Sequence, residues 1–377
     1  MLKTSMHNAI PQRIPTDYSI PPGETLAEVL EERGMTQAEF ARRTARPIKT
    51  INEIVKGKAA ITPTTAIQFG RVLGIPAAFW NALEANNRED QARLDERKGL
   101  ENHVQWVKQF PLKEMLRHGL IRESRDKVEQ VSQLLEFFGV SSPDAWGRQW
   151  AAQTAQYRQA AGFAVSEPAL AVWLRWGELD GSKQECAPFD ERRFREALTR
   201  VRGLTRTDPD TFVPAVQKLC ASAGVAVVFT PELPKTRVSG AVRWLTQDKA
   251  LMQLSLRYKR DDSLWFSFFH EAGHVLLHGR RRGHLDSDQG RGYSLPQEET
   301  EANLFASDFL IPSEQYRHIA DTHNNSPAVI EAFARRIGIA PGIVVGRLQY
   351  DGHIPWNSPA GRLRRSLRWA ESDTPPQ

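Results

Sequence analysis

Long hydrophobic runs and cysteine are both scarce in this chain of 377 residues. No stretch of about eighteen consecutive apolar residues occurs, so we expect no transmembrane helix. Residues 1–15 contain no apolar segment of the kind that a secretory signal needs. The two cysteines, Cys186 and Cys220, belong to no CxxC or other metal-type cluster. We expect both to be reduced packing residues of a cytoplasmic protein.

The charge balance is only mildly one-sided. The chain has 50 lysines and arginines against 45 aspartates and glutamates, a formal net charge of +5. Such an excess permits nucleic-acid binding without demonstrating it. Hydrophobic residues make up 40% of the chain, so its length and composition suffice for two or three domains with their own cores.

Residues 24–84 show the apolar spacing of short amphipathic helices, after a loose arm predicted for residues 1–23. Thr36 followed by Glu39 is the pattern of a capping box, which predicts a helix start there. Pro47 is best placed at the first position of the next helix, so residues 47–56 are predicted to be a recognition helix. The apolar positions are Leu26, Val29, Leu30, Phe40, Ala41, Ile51, Ile54, Ala66, Phe69 and Leu73, and the breaks are Gly34, Pro47, Gly57 and Gly74.

The segment TQAEFARRTARPIKTINEIVKGKAAITPTTAIQFGRVLGIPAAFW resembles the Cro/repressor-type (XRE) helix-turn-helix of HigA-like antitoxins. The resemblance implies an all-α domain that binds double-stranded DNA, with a homodimer as a candidate assembly. By position it implies that Gln37 meets a phosphate, that Lys56 and Lys58 meet the DNA backbone, and that four residues face base edges: Ile48, Lys49, Thr50 and Glu53. Many relatives have glycine where this chain has Ala45-Arg46-Pro47. A helical bundle used only for dimerisation is the alternative.

Residues 85–222 are predicted to be a helical linker and middle region. Its first part, 84–110, carries dense alternating charge and indicates a long exposed helix. Four tryptophans occur at helix-face spacings, and we interpret them as packing residues: Trp146, Trp150, Trp173 and Trp176. No cofactor motif occurs in this region.

A β-rich pattern begins after residue 222. Residues 225–229 form a short β-branched run, and 239–245 with 250–256 flank a turn, which suggests a hairpin. The segment HEAGH follows at residues 270–274, an HExxH pattern. A small sheet placed just before an HExxH helix is typical of zincin-type peptidases, in which an edge strand pairs with an extended peptide. The sequence does not show which strand lies at the edge.

The motif HEAGH at residues 270–274 has the residue types that a catalytic zinc ion needs. His270 and His274 project from one helical face, and Glu271 can reach a water near the same metal. Zinc held by two histidines and one carboxylate keeps a position open for water, whose pKa it lowers to about 7. The pattern predicts a metallopeptidase, although five residues of this kind also occur by chance on amphipathic helices.

The third ligand is sought in the helical segment 298–312. Glu301 precedes Phe305 and Phe309 by one and two turns, and a carboxylate beside a buried face is costly unless it is paired or bound to a metal. Glu301 is therefore the predicted ligand and Glu298 the fallback. Glu299 is predicted to point elsewhere as a solvated charge at the helix start.

Further polar residues could assist the site. His278 extends the series 270, 274 and 278, so it is a hydrogen-bond partner of a ligand, a transition-state stabiliser or an exposed side chain. Tyr293 and His284 lie in a glycine-rich loop and could steady an oxyanion. A third histidine ligand of the HExxHxxGxxH type is excluded, because residue 277 is leucine and residue 280 is arginine.

This region resembles the ImmA/IrrE metallopeptidases, through HEAGH, ETEANLFASDFLIP at 299–312 and FARRIGIAPGIVVGRLQYDGHIPW at 333–356. The resemblance covers roughly residues 150–360. It implies a zinc fold in which Glu271 activates water and the ligands are His270, His274 and Glu301. Members include proteases that cleave repressors, and others are grouped with toxin–antitoxin operons.

The sequence thus predicts a mainly α, multidomain chain with a helix-turn-helix bundle, a helical middle and a C-terminal α+β zincin-like domain at 223–358. Residues 359–377 are predicted to be a basic, disordered tail. The predicted function is a DNA-binding transcriptional regulator whose zinc endopeptidase domain cuts a repressor or antitoxin. The alternative is an antitoxin or transcription factor whose peptidase-like domain senses or scaffolds without proteolysis.

Overall fold

The computed structural model describes residues 19–151, 154, 165–278, 296–322 and 325–370. By internal contacts the chain divides into an N-terminal unit, Met1–Val104, and a C-terminal unit, Gln105–Gln377. Within the described ranges no helix combines the length and the apolar character needed to cross a membrane.

The described part of the N-terminal unit is helical. Its core is built from fully buried apolar side chains of successive helices, including Leu26, Phe40, Ile51, Phe69 and Trp80. The predicted domain end at residue 84 lies inside the last helix, which belongs wholly to this unit. The helices are α1 (Pro22–Glu32), α2 (Gln37–Arg43), α3 (Ile48–Val55), α4 (Pro63–Leu73) and α5 (Ala77–Glu101).

Side-chain caps fix where two of these helices begin, α2 and α4. The Thr36 hydroxyl accepts a hydrogen bond from the Glu39 backbone N–H at 3.2 Å, so the predicted start of α2 is confirmed. The Glu39 carboxylate does not complete the expected capping box, because it accepts instead from Arg43 one turn later. Thr62 caps α4 in the same way, and Gly74 ends α4 with a left-handed φ of 66°.

The C-terminal unit begins with helices that pack through aromatic side chains. Trp146 and Trp150 are buried against Phe110 and Phe138, and Trp173 is buried farther along the chain, which confirms the packing role predicted for these tryptophans. Trp176 is half-buried and packs against the His118 ring in a tilted arrangement. The helices are α6 (Leu112–Arg117), α7 (Lys127–Phe138), α8 (Pro143–Trp146), α9 (Glu167–Lys183), α10 (Glu191–Leu204) and α11 (Pro209–Ala221), with a 3₁₀ turn at Trp106–Gln109 and a π turn at Gly147–Ala151.

A three-stranded sheet follows α11. The strands are β1 (Val225–Phe229), β2 (Gly240–Thr246) and β3 (Lys249–Leu254), in the order β1-β3-β2. The predicted hairpin is confirmed, because β2 pairs antiparallel with β3 and Gly240 lies opposite Leu254. β1 runs parallel to β3 on its other side. Both β1 and β2 are therefore edges of the described sheet.

The sheet is covered on both faces by helices. Phe194 and Val216 of α10 and α11 belong to the same buried cluster as Met252 of β3. On the opposite face, Trp173 of α9 donates its indole N–H to the Thr230 carbonyl at 3.3 Å. These helices therefore share a core with the sheet across the predicted boundary at residues 222/223. Both cysteines are free thiols.

The remaining helices complete the C-terminal unit. Arg202 of α10 ties two of their ends together by donating to the carbonyls of Phe309 and Leu310 and to that of Ile337. Helix C-termini leave carbonyls without partners, so this guanidinium stabilises both ends. The helices are α12 (Asp261–Gly273), α13 (Pro296–Leu310), α14 (Ser313–Ala320), α15 (Pro327–Ile337) and α16 (Pro341–Tyr350), and a π turn at His274–His278 extends α12.

The segment after α16 is packed against the core. A 3₁₀ turn at Pro359–Leu363 buries Ala360, and Leu367 is only 8% exposed. Arg365 donates to the buried Asp261 carboxylate at the start of α12. The prediction of a disordered tail is wrong for residues 359–370, because apolar side chains alternate there with the arginines. Residues 371–377 lie outside the described part of the chain.

Candidate metal centre and helix-turn-helix surface

Helix α12 holds the two histidines of HEAGH on one face. Phe268 and Phe269 are buried on its other sides, which fixes the rotation of the helix. Gly273 lets α12 approach α13 closely, because a Cβ at this position would lie 3.2 Å from the Ala302 Cα. The close approach brings side chains from the first turns of α13 to the histidines.

Three side chains converge between α12 and α13. The Nε2 atoms of His270 and His274 lie 3.0 Å apart. The Glu299 carboxylate lies against both, with Oε2 at 3.3 Å from His270 Nε2 and Oε1 at 3.4 Å from His274 Nε2. Among the described residues, these three form the group whose His, Cys or carboxylate atoms are close enough to share a metal ion.

The acid beside the histidines is Glu299 and not the predicted Glu301. Glu301 contacts His278 instead, and the expectation that Glu299 points away into solvent is wrong. The physical reason is the close approach of α13 to α12 at Ala302, whose Cα would lie 3.2 Å from a Cβ on Gly273. Glu299 lies one turn before Ala302, and Glu301 does not. The fallback, Glu298, is not in the converging group.

The spacing of the three groups fits a zinc ion. Zinc–nitrogen and zinc–oxygen bonds of about 2.0–2.2 Å at tetrahedral angles separate neighbouring ligand atoms by roughly 3.3–3.6 Å. The three separations of 3.0, 3.3 and 3.4 Å are close to that value. Two imidazoles and one carboxylate are also a donor set that suits zinc in catalytic sites with an open position.

Each histidine of the pair also has a partner on its other ring nitrogen. His270 Nδ1 lies 3.0 Å from Asn303 Oδ1 of α13. His274 Nδ1 lies 3.1 Å from His278 Nδ1, and His278 Nε2 lies 3.0 Å from Glu301 Oε2. His278 is thus a partner of a histidine of the centre rather than an exposed side chain. Tyr293 and His284 lie outside the described residues.

Glu271 follows His270 in α12 and is 7% exposed. Its carboxylate packs on Gly240 at the start of β2, where a Cβ would lie 2.5 Å from Oε1. Burial raises the pKa of the Glu271 carboxyl, against the opposing influence of His270 and His274. A basic group of this kind beside an edge strand is suited to exchanging protons with a reacting group held there.

Mutual attraction shapes the ionisation of the converging groups. Hydrogen bonds from His270 and His274 hold the pKa of Glu299 far below its usual range. Burial opposes the charged form of His270, but contacts with Glu299 and Glu271 raise its pKa overall. The negative charge of Glu299 therefore persists where a cation would bind.

The outer face of α3 in the helix-turn-helix is exposed to solvent. Ile51 and Ile54 are buried, whereas Ile48 is 55% exposed and the Lys49 side chain 84% exposed. Glu53 lies 3.9 Å from Lys49 on the same face. The other predicted DNA contacts are also accessible: Thr50 and Gln37 are half-buried, and Lys56 and Lys58 are exposed.

The turn between α2 and α3 contains a left-handed residue. Ala45 has a φ of 52°, a region that side chains with a Cβ enter at a cost. Pro47 is the N-cap of α3, one position earlier than predicted. Ala45 thus forms the turn between α2 and α3 at a cost in backbone strain.

Comparisons with known proteins match both units. The helix-turn-helix family model matches residues 26–80, and the Peptidase M78 model, described as the IrrE N-terminal-like domain, matches residues 220–349. An uncharacterized HTH-type transcriptional regulator of Escherichia coli, YddM, is 35% identical over 80 residues, which are 19% of this chain and 85% of that protein. The chain is a helix-turn-helix regulator with an IrrE-like domain. Both resemblances expected from the sequence are confirmed.

Two solved structures are similar to part of the regulator. One is an addiction module antidote protein of the HigA family from Coxiella burnetii, at 29% identity and a TM-score of 0.21, covering 22% of this chain and 92% of that one. The other is a putative antidote protein of a plasmid maintenance system from Nostoc punctiforme, at 28% identity and a TM-score of 0.22, with the same coverage.

Proposed function

We propose that this regulator binds operator DNA through α2 and α3 and hydrolyses a protein partner at a zinc centre held by His270, His274 and Glu299. The observation that carries the proposal is the convergence of these three side chains at the separations of tetrahedral zinc ligands. The match of residues 220–349 to a peptidase family supports the same chemistry.

The residues around the centre have separable roles. Bound zinc would supply a Lewis acid that polarises a carbonyl and lowers the pKa of water. Glu271 accepts a proton from the attacking water and passes it to the leaving amine. It suits this role because it is buried and next to His270 in the chain, and burial raises its pKa. Gly240 contacts Glu271 at the start of the edge strand β2, so an extended substrate segment lying along β2 has its backbone beside the base.

The proposed substrate is a repressor or an antitoxin bound near the same operator. A DNA-binding unit in the same chain raises the local concentration of the peptidase around proteins on that DNA. Such a role places the protein in the cytoplasm. We include a homodimer in the proposal, since dimers of this kind of domain read two operator half-sites.

The test compares the full chain with its Glu271→Gln variant. Cells or lysates containing each protein are examined for new protein N-termini by N-terminal labelling and mass spectrometry. We expect cleavage products of a DNA-binding partner with the unaltered chain and none with the variant, while both contain zinc. Loss of zinc in the variant would contradict the role of Glu271 as base. A zinc-loaded chain that binds its operator and yields no products would favour sensing or scaffolding without proteolysis.

A further inference from the structure

A row of hydrogen bonds leads from His274 away from the centre to α13. His274 Nδ1 lies 3.1 Å from His278 Nδ1, and His278 Nε2 lies 3.0 Å from Glu301 Oε2. Gln297 donates its amide N–H to the other oxygen of Glu301 at 3.0 Å. The His278 side chain is 11% exposed and that of Glu301 43% exposed, so the row runs from the interior to the surface.

The local backbone makes this row possible. Residues His274–His278 form a π turn, which is wider than an α-helical turn and often occurs at functional sites. The wider turn sets the rings of His274 and His278 with centroids 5.2 Å apart and their Nδ1 atoms in contact. His278 thereby reaches Glu301 across the gap between α12 and α13.

One arrangement of protons satisfies every contact when His274 is a metal ligand. Its Nε2 must then be unprotonated, so its Nδ1 carries the hydrogen and donates it to His278 Nδ1. His278 is consequently protonated at Nε2, where it donates to the Glu301 carboxylate. All hydrogen bonds point in the same direction, toward the negative charge.

We propose that His278 and Glu301 are positioning residues that hold His274 in the orientation and tautomer required for zinc binding. The inference rests on the proposed zinc centre. A ligand histidine whose other nitrogen donates toward a carboxylate is a stronger donor and loses less orientational freedom on binding. The pair of residues thus raises zinc affinity without touching the ion.

The two ligand histidines differ in this respect. His270 donates to Asn303, a neutral amide, whereas His274 is linked to a charged group through His278. Glu301 should therefore influence zinc only through His278. A general attraction between the Glu301 carboxylate and a cation would not need His278. The dependence of the Glu301 effect on His278 therefore distinguishes the two explanations.

The experiment is a double-mutant cycle on the full chain, with zinc affinity measured by competition with a chelator of known affinity. His278→Ala and Glu301→Ala should each weaken zinc binding by about 10- to 100-fold. The double variant should be no weaker than His278→Ala, because Glu301 has lost its connection to His274. Glu298→Gln is the control, since it removes one negative charge from the same turn of α13.

The outcomes are distinguishable. Additive losses would show that Glu301 acts through space and would overturn the proposal, as would wild-type affinity in Glu301→Ala or an equal loss in Glu298→Gln. Failure of the unaltered chain to bind zinc would overturn the zinc centre itself. Should His278→Ala fail to fold, Glu301→Ala and Glu301→Gln remain as surface variants. There we expect a smaller loss for glutamine, which can still accept the hydrogen bond.

Discussion

Removing the Arg365 side chain should destabilise the C-terminal unit, because this residue neutralises a buried acid. Asp261 is 1% exposed, and its Oδ2 accepts from Arg365 Nε at 3.0 Å. The same guanidinium also donates to the carbonyls of Thr205 and Thr207, which follow α10. The interaction thus fastens the C-terminal segment to the first turn of the helix that carries the histidines.

The magnitude follows from the charge that would be left behind. Breaking a buried ion pair by removing one partner costs about 3–5 kcal/mol. The Arg365 side chain is 34% exposed, so water can reach the vacated space and the lower end applies. We expect Arg365→Ala to lower the free energy of unfolding by about 3 kcal/mol and the thermal midpoint of this unit by roughly 5 °C.

The effect should depend on pH. Burial raises the pKa of Asp261, and Arg365 opposes that rise. In Arg365→Ala the opposing influence is gone, so the folded-state pKa lies further above the unfolded value. Protonated Asp261 carries no charge and needs no cationic partner, so the loss in the free energy of unfolding should be smallest at acidic pH. The loss should grow as the pH rises through the folded-state pKa.

Urea unfolding followed by tryptophan fluorescence measures both effects. Arg368→Ala is the matched control, since Arg368 is an exposed arginine of the same segment and should change stability by no more than about 0.5 kcal/mol. Equal and small losses in the two variants would refute the conclusion that residues 359–370 are fastened to the core.

Four other substitutions probe the two units separately. Gly240→Ala would place a Cβ 2.5 Å from the Glu271 carboxylate, so we expect a roughly 100-fold loss of cleavage with unchanged zinc content, measured on an identified substrate and by metal analysis. Ala45→Gly should stabilise the N-terminal unit by about 1 kcal/mol in urea unfolding, because it relieves a left-handed alanine; a loss of stability would contradict this. Lys49→Ala should alter which operator sequences are bound. Lys56→Ala should weaken binding to all sequences and reduce the slope of log affinity against log salt by about one, and the reverse pattern would exchange the proposed roles.

Patterns with a fixed period or a local cap were sufficient to predict much of the fold. The helix-turn-helix follows from apolar spacing and from Thr36, whose hydroxyl caps α2 as expected. The hairpin of β2 and β3 follows from alternating segments around a polar turn. These features depend on neighbours in sequence, so the sequence displays them directly.

The third side chain of the candidate metal centre could not be predicted by the same reasoning. The large apolar residues Phe305 and Phe309 favour Glu301, and both do contact α12, at Gly273 and Phe269. The Ala302 backbone also lies against Gly273, and Glu299, one turn before Ala302, is the acid that faces the histidines. The small residue Ala302, one turn after Glu299, is the signal in the sequence that favours Glu299 over Glu301.

The C-terminal segment differs from its sequence prediction because of a contact between residues far apart in the chain. Its arginines predict a solvated tail, but Arg365 has a buried partner more than one hundred residues earlier in the chain. Leu363, Leu367 and Trp369 alternate with those arginines and pack on the core. Charge alone does not reveal such a pair, whereas the intervening apolar residues indicate that the segment is covered.

The most direct test of the zinc centre is metal analysis of the purified chain beside its Glu299→Ala and Glu301→Ala variants, all dialysed against excess zinc and then against metal-free buffer. We expect a single zinc ion in the unaltered chain, loss of that zinc in Glu299→Ala, and a weaker but saturable site in Glu301→Ala. Full zinc in Glu299→Ala together with none in Glu301→Ala would contradict the assignment of Glu299 as the third ligand.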